Sequence, residues 1–135
     1  MKILTTISAV VFLMILTTGL AAAKKPPVPT FPFTATGFTF YVTDTGTETE
    51  DTTDITVYEA GNGLFNGTIY WNSYPIPFAA ALDSAGVYNL NGEYLSSYPV
   101  TGKFTITYVK HKGFEMAIQW GFPGYSVYVA GTLSQ

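Results

Sequence analysis

Cysteine and arginine are absent from this sequence of 135 residues, and histidine occurs only once. Without cysteine the chain can form no disulfide, no thiolate nucleophile and no cysteine-ligated zinc site. A bacterial lipid anchor, which is attached to a cysteine at the cleavage site, is excluded for the same reason. A domain of this size must therefore be stabilised by its hydrophobic core alone.

Charged residues are also scarce, at 11% of the chain, and the formal net charge is −3. A typical soluble domain has about a quarter of its residues charged. Nucleic-acid partners require a clustered basic face, so we predict none here. What the chain has instead is aromatic residues, at 16%, with ten tyrosines among them.

The supply of catalytic groups is poor. His111 stands between Lys110 and Lys112 in a predicted turn, where no carboxylate would orient it as a base. No Gly-x-Ser-x-Gly nucleophile motif occurs, and Glu93 and Glu115 fall on the outward face of predicted strands. We therefore predict that the protein is not an enzyme and has no cofactor.

The first 23 residues have the pattern of a signal peptide. Lys2 supplies the positive start, residues 3–20 form an apolar run, and Ala21–Ala23 offer the small residues that a signal peptidase requires. We expect cleavage after Ala23 and a secreted, cell-surface or periplasmic protein. The alternative is an uncleaved membrane anchor, because the run is almost long enough to span a bilayer.

Residues 24–37 are predicted to form a Pro-rich spacer, because proline lacks the donor that the middle of a sheet needs. Residues 38–135 are predicted to form one β-domain. Apolar side chains alternate with polar ones, most clearly from Val100 to Trp120, which is the period of a half-buried strand. The predicted strands are 38–43, 55–60, 64–71, 76–82, 87–95, 100–109, 114–120 and 125–133.

The connections between these strands predict a meander. Three are short and carry glycine, as expected for hairpin turns: 61–63, 83–86 and 110–113. The other four are longer or carry proline: 44–54, 72–75, 96–99 and 121–124. In an antiparallel meander the two sets alternate between the ends. We therefore expect the tight turns and both chain termini at one end and the longer loops at the other.

An apolar-x-Gly-x-apolar pattern recurs in four strands and places Gly67, Gly92, Gly102 and Gly131 on the apolar face. Glycine at such positions favours a strongly coiled sheet, as in a small up-and-down barrel. A β-sandwich, in which these glycines only make room for bulky neighbours such as Trp71 and Trp120, is the alternative.

The repeated apolar-x-Gly-x-aromatic pattern resembles that of calycin-type barrels such as avidins and lipocalins. The resemblance is one of architecture and assigns no family. The Gly-x-Trp that opens lipocalins is absent, since the first predicted strand here begins Gly37-Phe38-Thr39-Phe40.

Two further motifs can each be interpreted as a functional site or as an ordinary structural feature. The acidic, Thr-rich stretch 44–54 has oxygen donors dense enough for Ca²⁺, but its spacing does not follow the EF-hand pattern, and a solvated loop is favoured. Asn66-Gly67-Thr68 is a glycosylation sequon with Asn66 on the outward face. It lies in mid-strand, whereas used sites usually lie in loops.

Aromatic residues that leave the odd-numbered strands are the main candidates for a binding site, because all of them reach the same end. Ring faces combined with amide and hydroxyl groups suit a sugar or a flat apolar ligand. The predicted ligand-binding residues are Trp71, Asn72, Ser73, Tyr74, Tyr98, Trp120 and Phe122. Trp71 and Trp120 share the period of the core, so a core role is their alternative.

Two functions remain open from sequence. The first is a secreted binding domain that takes a carbohydrate, a small apolar ligand or a protein partner at its aromatic loops. The alternative is a structural subunit of an extracellular layer, matrix or fibre, in which the Pro-rich arm adds to a neighbour's sheet edge.

Overall fold

The structure, a computed structural model, describes residues 27–46 and 48–135. Eight antiparallel strands follow one another around a single closed barrel, which confirms the predicted up-and-down meander. The predicted signal peptide and residues 24–26 of the predicted spacer lie outside the described residues. No helix among the described residues is long and apolar enough to cross a membrane. The strands are β1 (Phe33–Val42), β2 (Glu48–Gly61), β3 (Leu64–Trp71), β4 (Tyr74–Leu82), β5 (Tyr88–Tyr94), β6 (Tyr98–Val109), β7 (Gly113–Gly121) and β8 (Tyr128–Ser134).

Pairing between the first and last strands closes the barrel. β1 pairs with β8 from Thr36 opposite Ser134 to Val42 opposite Tyr128. Every strand therefore has two neighbours. Some strands extend beyond one neighbour: β2 pairs with β1 from Glu48 onward but with β3 only from Thr53 onward, and β6 continues to Val109 although its pairing with β5 ends at Phe104. Residues 48–52 thus form a short strand edge that projects beyond the β3–β4 hairpin.

The strand boundaries differ from the predicted ones most in the first hairpin. β1 begins at Phe33 rather than Phe38, because Phe33 and Ala35 alternate with threonines and are buried. β2 begins at Glu48 rather than Ile55, so the predicted acidic loop 44–54 is wrong from residue 48 onward. Its acids and threonines pair with β1.

The inward faces of all eight strands form one hydrophobic core. Buried rings from neighbouring strands meet inside it: Tyr88 stacks on Phe104 with ring centroids 4.6 Å apart, and Phe78 meets Phe104 edge-on at 6.0 Å. The only buried polar residues described are Thr39 and Thr53, whose hydroxyl oxygens are 2.8 Å apart. Each hydroxyl therefore satisfies the other inside the barrel.

Inward glycines allow the strands to coil tightly, as the repeated pattern predicts. A Cβ on Gly102 of β6 would collide with the backbone oxygen of Gln119 and lie 2.6 Å from Cβ of Trp120 on β7. A Cβ on Gly67 of β3 would lie 2.5 Å from the backbone oxygen of Thr56 and strike the ring of Phe78. Neighbouring strands approach these positions too closely for any other residue.

The two ends of the barrel carry different sets of connections. The rim, as we call the end where odd-numbered strands finish, carries residues 43–46 of the β1–β2 connection and the connections 72–73, 95–97 and 122–127. The base, at the other end, carries 62–63, 83–87 and 110–112, together with the start of β1 and the end of β8. The predicted difference in loop length between the ends is wrong. Asn72–Ser73 is a two-residue turn with φ values of 50° and 65°.

The end of the Pro-rich segment packs on the barrel that follows it. The ring of Phe31 lies 4.9 Å from the ring of Phe65 at the base. Val28 is 78% exposed. The predicted spacer thus becomes part of the domain at Phe31 and continues as β1 from Phe33.

Candidate binding site at the aromatic rim

Trp71 and Trp120 form the inner layer of the rim. Trp71 is the last residue of β3 and Trp120 the last but one of β7, and their rings meet edge-on with centroids 5.2 Å apart. Trp120 is 1% exposed and Trp71 is 9% exposed. Their inward period in the sequence therefore places them in the core, where neither presents an open ring face.

The indole N–H groups of these two residues have no hydrogen-bond partner among the described residues, although both are buried. Asp51 of the β2 overhang likewise has one buried carboxylate oxygen, Oδ2, without a partner there. A buried donor or acceptor that makes no bond is destabilising by about 1–3 kcal/mol. The inner rim therefore has hydrogen-bonding capacity that the described protein groups do not use.

A second layer of rings lies outside the tryptophans. Phe122 is buried against Trp120 with ring centroids 5.8 Å apart, and Tyr94 meets Trp71 at 5.9 Å. Tyr98 contacts Phe122 at 6.2 Å, and Tyr125 contacts Tyr98 at 5.9 Å. Edge-on and tilted ring pairs at these distances are attractive. Exposure rises outward along this series, to 40% at Tyr98 and 61% at Tyr125.

These outer rings line a small, open pocket, which we call the rim cavity. Its volume is about 190 Å³, and its lining residues are Tyr94, Tyr98, Phe122, Tyr125 and Val127. They come from the end of β5, the start of β6 and the β7–β8 connection. No polar atom contributes to its surface, so its chemistry is that of aromatic ring faces and the Val127 side chain.

The residues predicted from sequence fall into three different places. Tyr98 and Phe122 line the rim cavity, whereas Trp71 and Trp120 lie in the core beneath it. Asn72 and Ser73 line a separate polar cleft of about 380 Å³ together with Asp51, Thr52, Asp54 and Tyr70. Tyr74 lines neither, although its ring meets that of Tyr94 at 6.1 Å.

Three lining residues were not predicted: Tyr94, Tyr125 and Val127. Tyr94 ends an odd-numbered strand, so the same rule that selected Trp71 points to it. Tyr125 and Val127 lie in the six-residue connection 122–127, which was expected to be partly strand. Its turn, with the Tyr125 N–H donating to the Phe122 oxygen at 3.0 Å, brings Tyr125 back over the cavity.

The carboxylates near the rim do not form a metal site. Within residues 27–46 and 48–135 no group of three or more His, Cys, Asp or Glu side chains is arranged to hold a metal ion. Asp54 accepts a hydrogen bond from the Thr36 hydroxyl at 2.6 Å. Asp51 Oδ1 accepts one from the Thr52 N–H at 2.8 Å.

The remaining sequence candidates lie away from the rim. His111 is exposed in the β6–β7 turn at the base, with a φ of 67°. Asn66 is exposed on the outer face of β3, as predicted, and its glycosylation stays a prediction.

Comparison of the chain with protein-family models, with curated proteins and with solved structures finds no match. The geometry of the barrel and of its rim is therefore the basis for the functional argument.

Proposed function

We propose that the protein is a secreted, non-enzymatic binding domain that accepts an apolar ring in the rim cavity. The observation that carries this proposal is that four aromatic rings line the cavity, two of them substantially exposed. Soluble domains place tyrosine in this way at binding surfaces, because it combines a large apolar face with a polar tip. Secretion rests on the signal-peptide pattern of residues 1–23.

The size of the cavity suits one ring with small substituents. An apolar cavity of about 150 Å³ is known to hold a benzene molecule, and the rim cavity has about 190 Å³. The ligand is then a small aromatic compound or an aromatic side chain of a protein partner that inserts one ring.

The lining favours an apolar ring over a carbohydrate. A sugar requires several hydrogen-bond partners for its hydroxyls, and those that lose water without a partner weaken binding. The surface of the rim cavity offers no polar atom. A planar apolar ring needs no such partners and gains from edge-on contact with Tyr98 and Phe122.

The test is a titration of the ¹⁵N-labelled protein with indole and, in parallel, with methyl β-glucoside, followed by NMR. We expect saturable shifts with indole at the amides of Tyr94, Tyr98 and Phe122, and none with the glucoside. Tyr98→Ala should weaken indole binding about five-fold, because a ring contact contributes about 1 kcal/mol.

Tyr58→Ala is the matched control. Tyr58 is 54% exposed on β2 and lies near the base, far from the rim cavity. Its removal should leave the indole titration unchanged. Equal weakening by both substitutions, or shifts spread over the base, would show that indole binds the protein without using the rim cavity.

The alternative function is a structural subunit, and one observation favours it. Phe38 and Phe40 project outward from β1 and are 65% and 47% exposed. Addition of an arm to a sheet edge, as that function requires, could use the stretches that extend beyond a neighbouring strand, such as residues 48–52 of β2 and 105–109 of β6. Light scattering over a wide concentration range separates the two functions. A constant monomer mass supports the binding domain, and growing mass supports the subunit.

A further inference from the structure

A groove of about 680 Å³ lies on the outer face of the barrel. It runs across β5, β6, β7, β8 and β1 and shares no lining residue with the rim cavity. We propose that this outer groove binds a neutral oligosaccharide chain. The proposal is independent of the ligand assigned to the rim.

Short side chains form the floor of the outer groove. Thr105, Ala117, Ala130 and Thr132 stand at outward positions that are side by side in the sheet, since Thr105 pairs with Ala117 and Ala117 pairs with Thr132. Taller groups stand on either side: Phe40 and Tyr128 on one, and the β4–β5 turn with Asp83 and Val87 on the other. The groove is thus a consequence of residue size along neighbouring strands.

The aromatic side offers stacking surfaces to solvent. Phe40 is 47% exposed and Tyr128 is 46% exposed. A pyranose ring has an apolar face of C–H groups that packs on an aromatic ring, and exposed aromatic rings with no partner on that face are available for it.

The polar groups of the floor match the hydroxyls of a sugar. The Tyr128 hydroxyl donates to the side-chain oxygen of Gln119 at 2.5 Å, which fixes that amide and leaves its NH₂ group as a donor. Lys103, which pairs with Gln119 across β6 and β7, makes no hydrogen bond or ion pair with the described residues. Asn89 and the floor threonines add further donors and acceptors. A sugar hydroxyl both donates and accepts, so it can use this mixture.

The shape and charge of the groove select a neutral chain. The groove crosses several strands and is open to solvent, so linked sugar rings that bind there stay partly solvated. The Asp83 carboxylate stands in the wall and the protein has a net charge of −3. A polyanion would meet repulsion there, with Lys103 as the only cation of the groove.

The test is affinity electrophoresis of the purified full-length protein in gels that contain hydroxyethyl cellulose, galactomannan or laminarin, with polygalacturonate as the acidic comparison. We expect at least one neutral polysaccharide to retard the protein. Ala117→Trp, which fills the floor, should abolish the retardation. Lys103→Met should weaken it about five-fold in dissociation constant.

Two further variants serve as a substitute and as a control. Thr132→Trp fills the same floor from β8 and replaces Ala117→Trp should that variant fail to fold. Tyr98→Ala alters the rim alone and should leave retardation unchanged, so the two proposals fail separately. Retardation that survives both floor variants, retardation by polygalacturonate alone, or no retardation by any neutral polysaccharide would overturn the proposal.

Discussion

Gly102 determines how closely β6 and β7 approach each other. Because a Cβ there would collide with the backbone of Gln119 and with Trp120, Gly102→Ala should lower the free energy of unfolding by about 1–3 kcal/mol, as overpacking does. Urea denaturation measures this. Thr101→Ala, at an exposed neighbouring position, should change stability by less than about 0.5 kcal/mol. Equal effects of the two would contradict a close approach at Gly102.

Trp120 supports the rim from below and should behave as a core residue. Its side chain is almost fully buried between Trp71 and Phe122. Trp120→Ala is therefore expected to destabilise the protein by about 3–5 kcal/mol. Tyr125→Ala, at a position that is 61% exposed, should have a much smaller effect on the same unfolding curve. If the Trp120→Ala protein were stable and had lost only the binding of the ligand, Trp120 would have to be assigned to the ligand site and not to the core.

The Thr39–Thr53 pair gives a prediction about coupling between two residues. Thr39→Val leaves the Thr53 hydroxyl buried without its partner, which should lower stability by about 1–3 kcal/mol. Thr53→Val should cost less, because the Thr39 hydroxyl also donates to the backbone oxygen of Asp51 at 3.4 Å. The double replacement removes both hydroxyls at nearly constant shape and should recover most of that loss. A double-mutant cycle of unfolding free energies checks this. Strictly additive losses would mean that the 2.8 Å contact contributes nothing.

These threonines also show why hydrophobic periodicity misleads at one position. Around Phe38 the pattern alone places the phenylalanines inside the barrel. The structure instead turns Thr39 inward and leaves Phe38 and Phe40 exposed. Thr53 on the neighbouring strand supplies the hydrogen bond that makes this register stable. The pattern of a single strand does not reveal a hydrogen-bond partner that lies 14 residues away along the chain.

At the scale of elements, the β4–β5 turn depends on one carboxylate. Asp83 accepts hydrogen bonds from the N–H groups of Ala85 and Val87 and from the Asn89 amide. The bond from Val87 is the main cause that lowers the pKa of Asp83 below its usual value of 3.8. Desolvation, the next largest cause, acts in the opposite direction, and the bonds from Asn89 and Ala85 add to the lowering.

The pH dependence of stability follows from the direction of that shift. A carboxyl group with a lower pKa in the folded state stabilises the fold above its unfolded pKa and loses this contribution as the pH falls through the folded value. Asp83→Ala should therefore lower the melting temperature at pH 7 but change it little at pH 2. Glu93→Ala, an exposed acid without such bonds to the described residues, is the control. An effect of Asp83→Ala that is equal at both pH values would contradict this role.

The accuracy of a predicted strand boundary depended on the residues in the turn next to that strand. β3 was predicted with both ends correct, because Gly63 and the aromatic alternation mark it. β4 begins at Tyr74, two residues before the predicted start at Ile76, because Pro75 indicated a loop. In the structure Pro75 and Pro77 both precede Phe78, the first residue of β4 that pairs with β5. Their missing donors therefore interrupt no β4–β5 ladder.

For the whole molecule, closure by β8 is the decisive contact. β8 pairs with both β1 and β7 and buries Val129 and Leu133. A chain that ends at residue 127 would expose two strand edges together with part of the core. We expect it to lose its near-ultraviolet circular dichroism and to aggregate in light scattering. A chain that lacks only Gln135 should remain folded and monomeric. Retention of the folded spectrum by the shorter chain would show that closure is dispensable.

The rim was predictable in outline but not in detail. The meander alone determines that odd-numbered strands finish together, so Tyr98 and Phe122 were expected there. The cavity itself depends on how the connection 122–127 turns back over Tyr94, and no local pattern encodes that path. The outer groove was not predicted either, because it arises from residue sizes on five different strands.

Both the start of β1 and the end of β8 lie at the base. Strands of this length, tilted as in small barrels, place the rim roughly 20–25 Å from that end. A membrane tether, a second domain or a purification tag joined on either side would therefore leave the rim facing away from the attachment point. Tandem copies of the domain would be linked base to base, and each would keep its aromatic rim open to the surrounding medium.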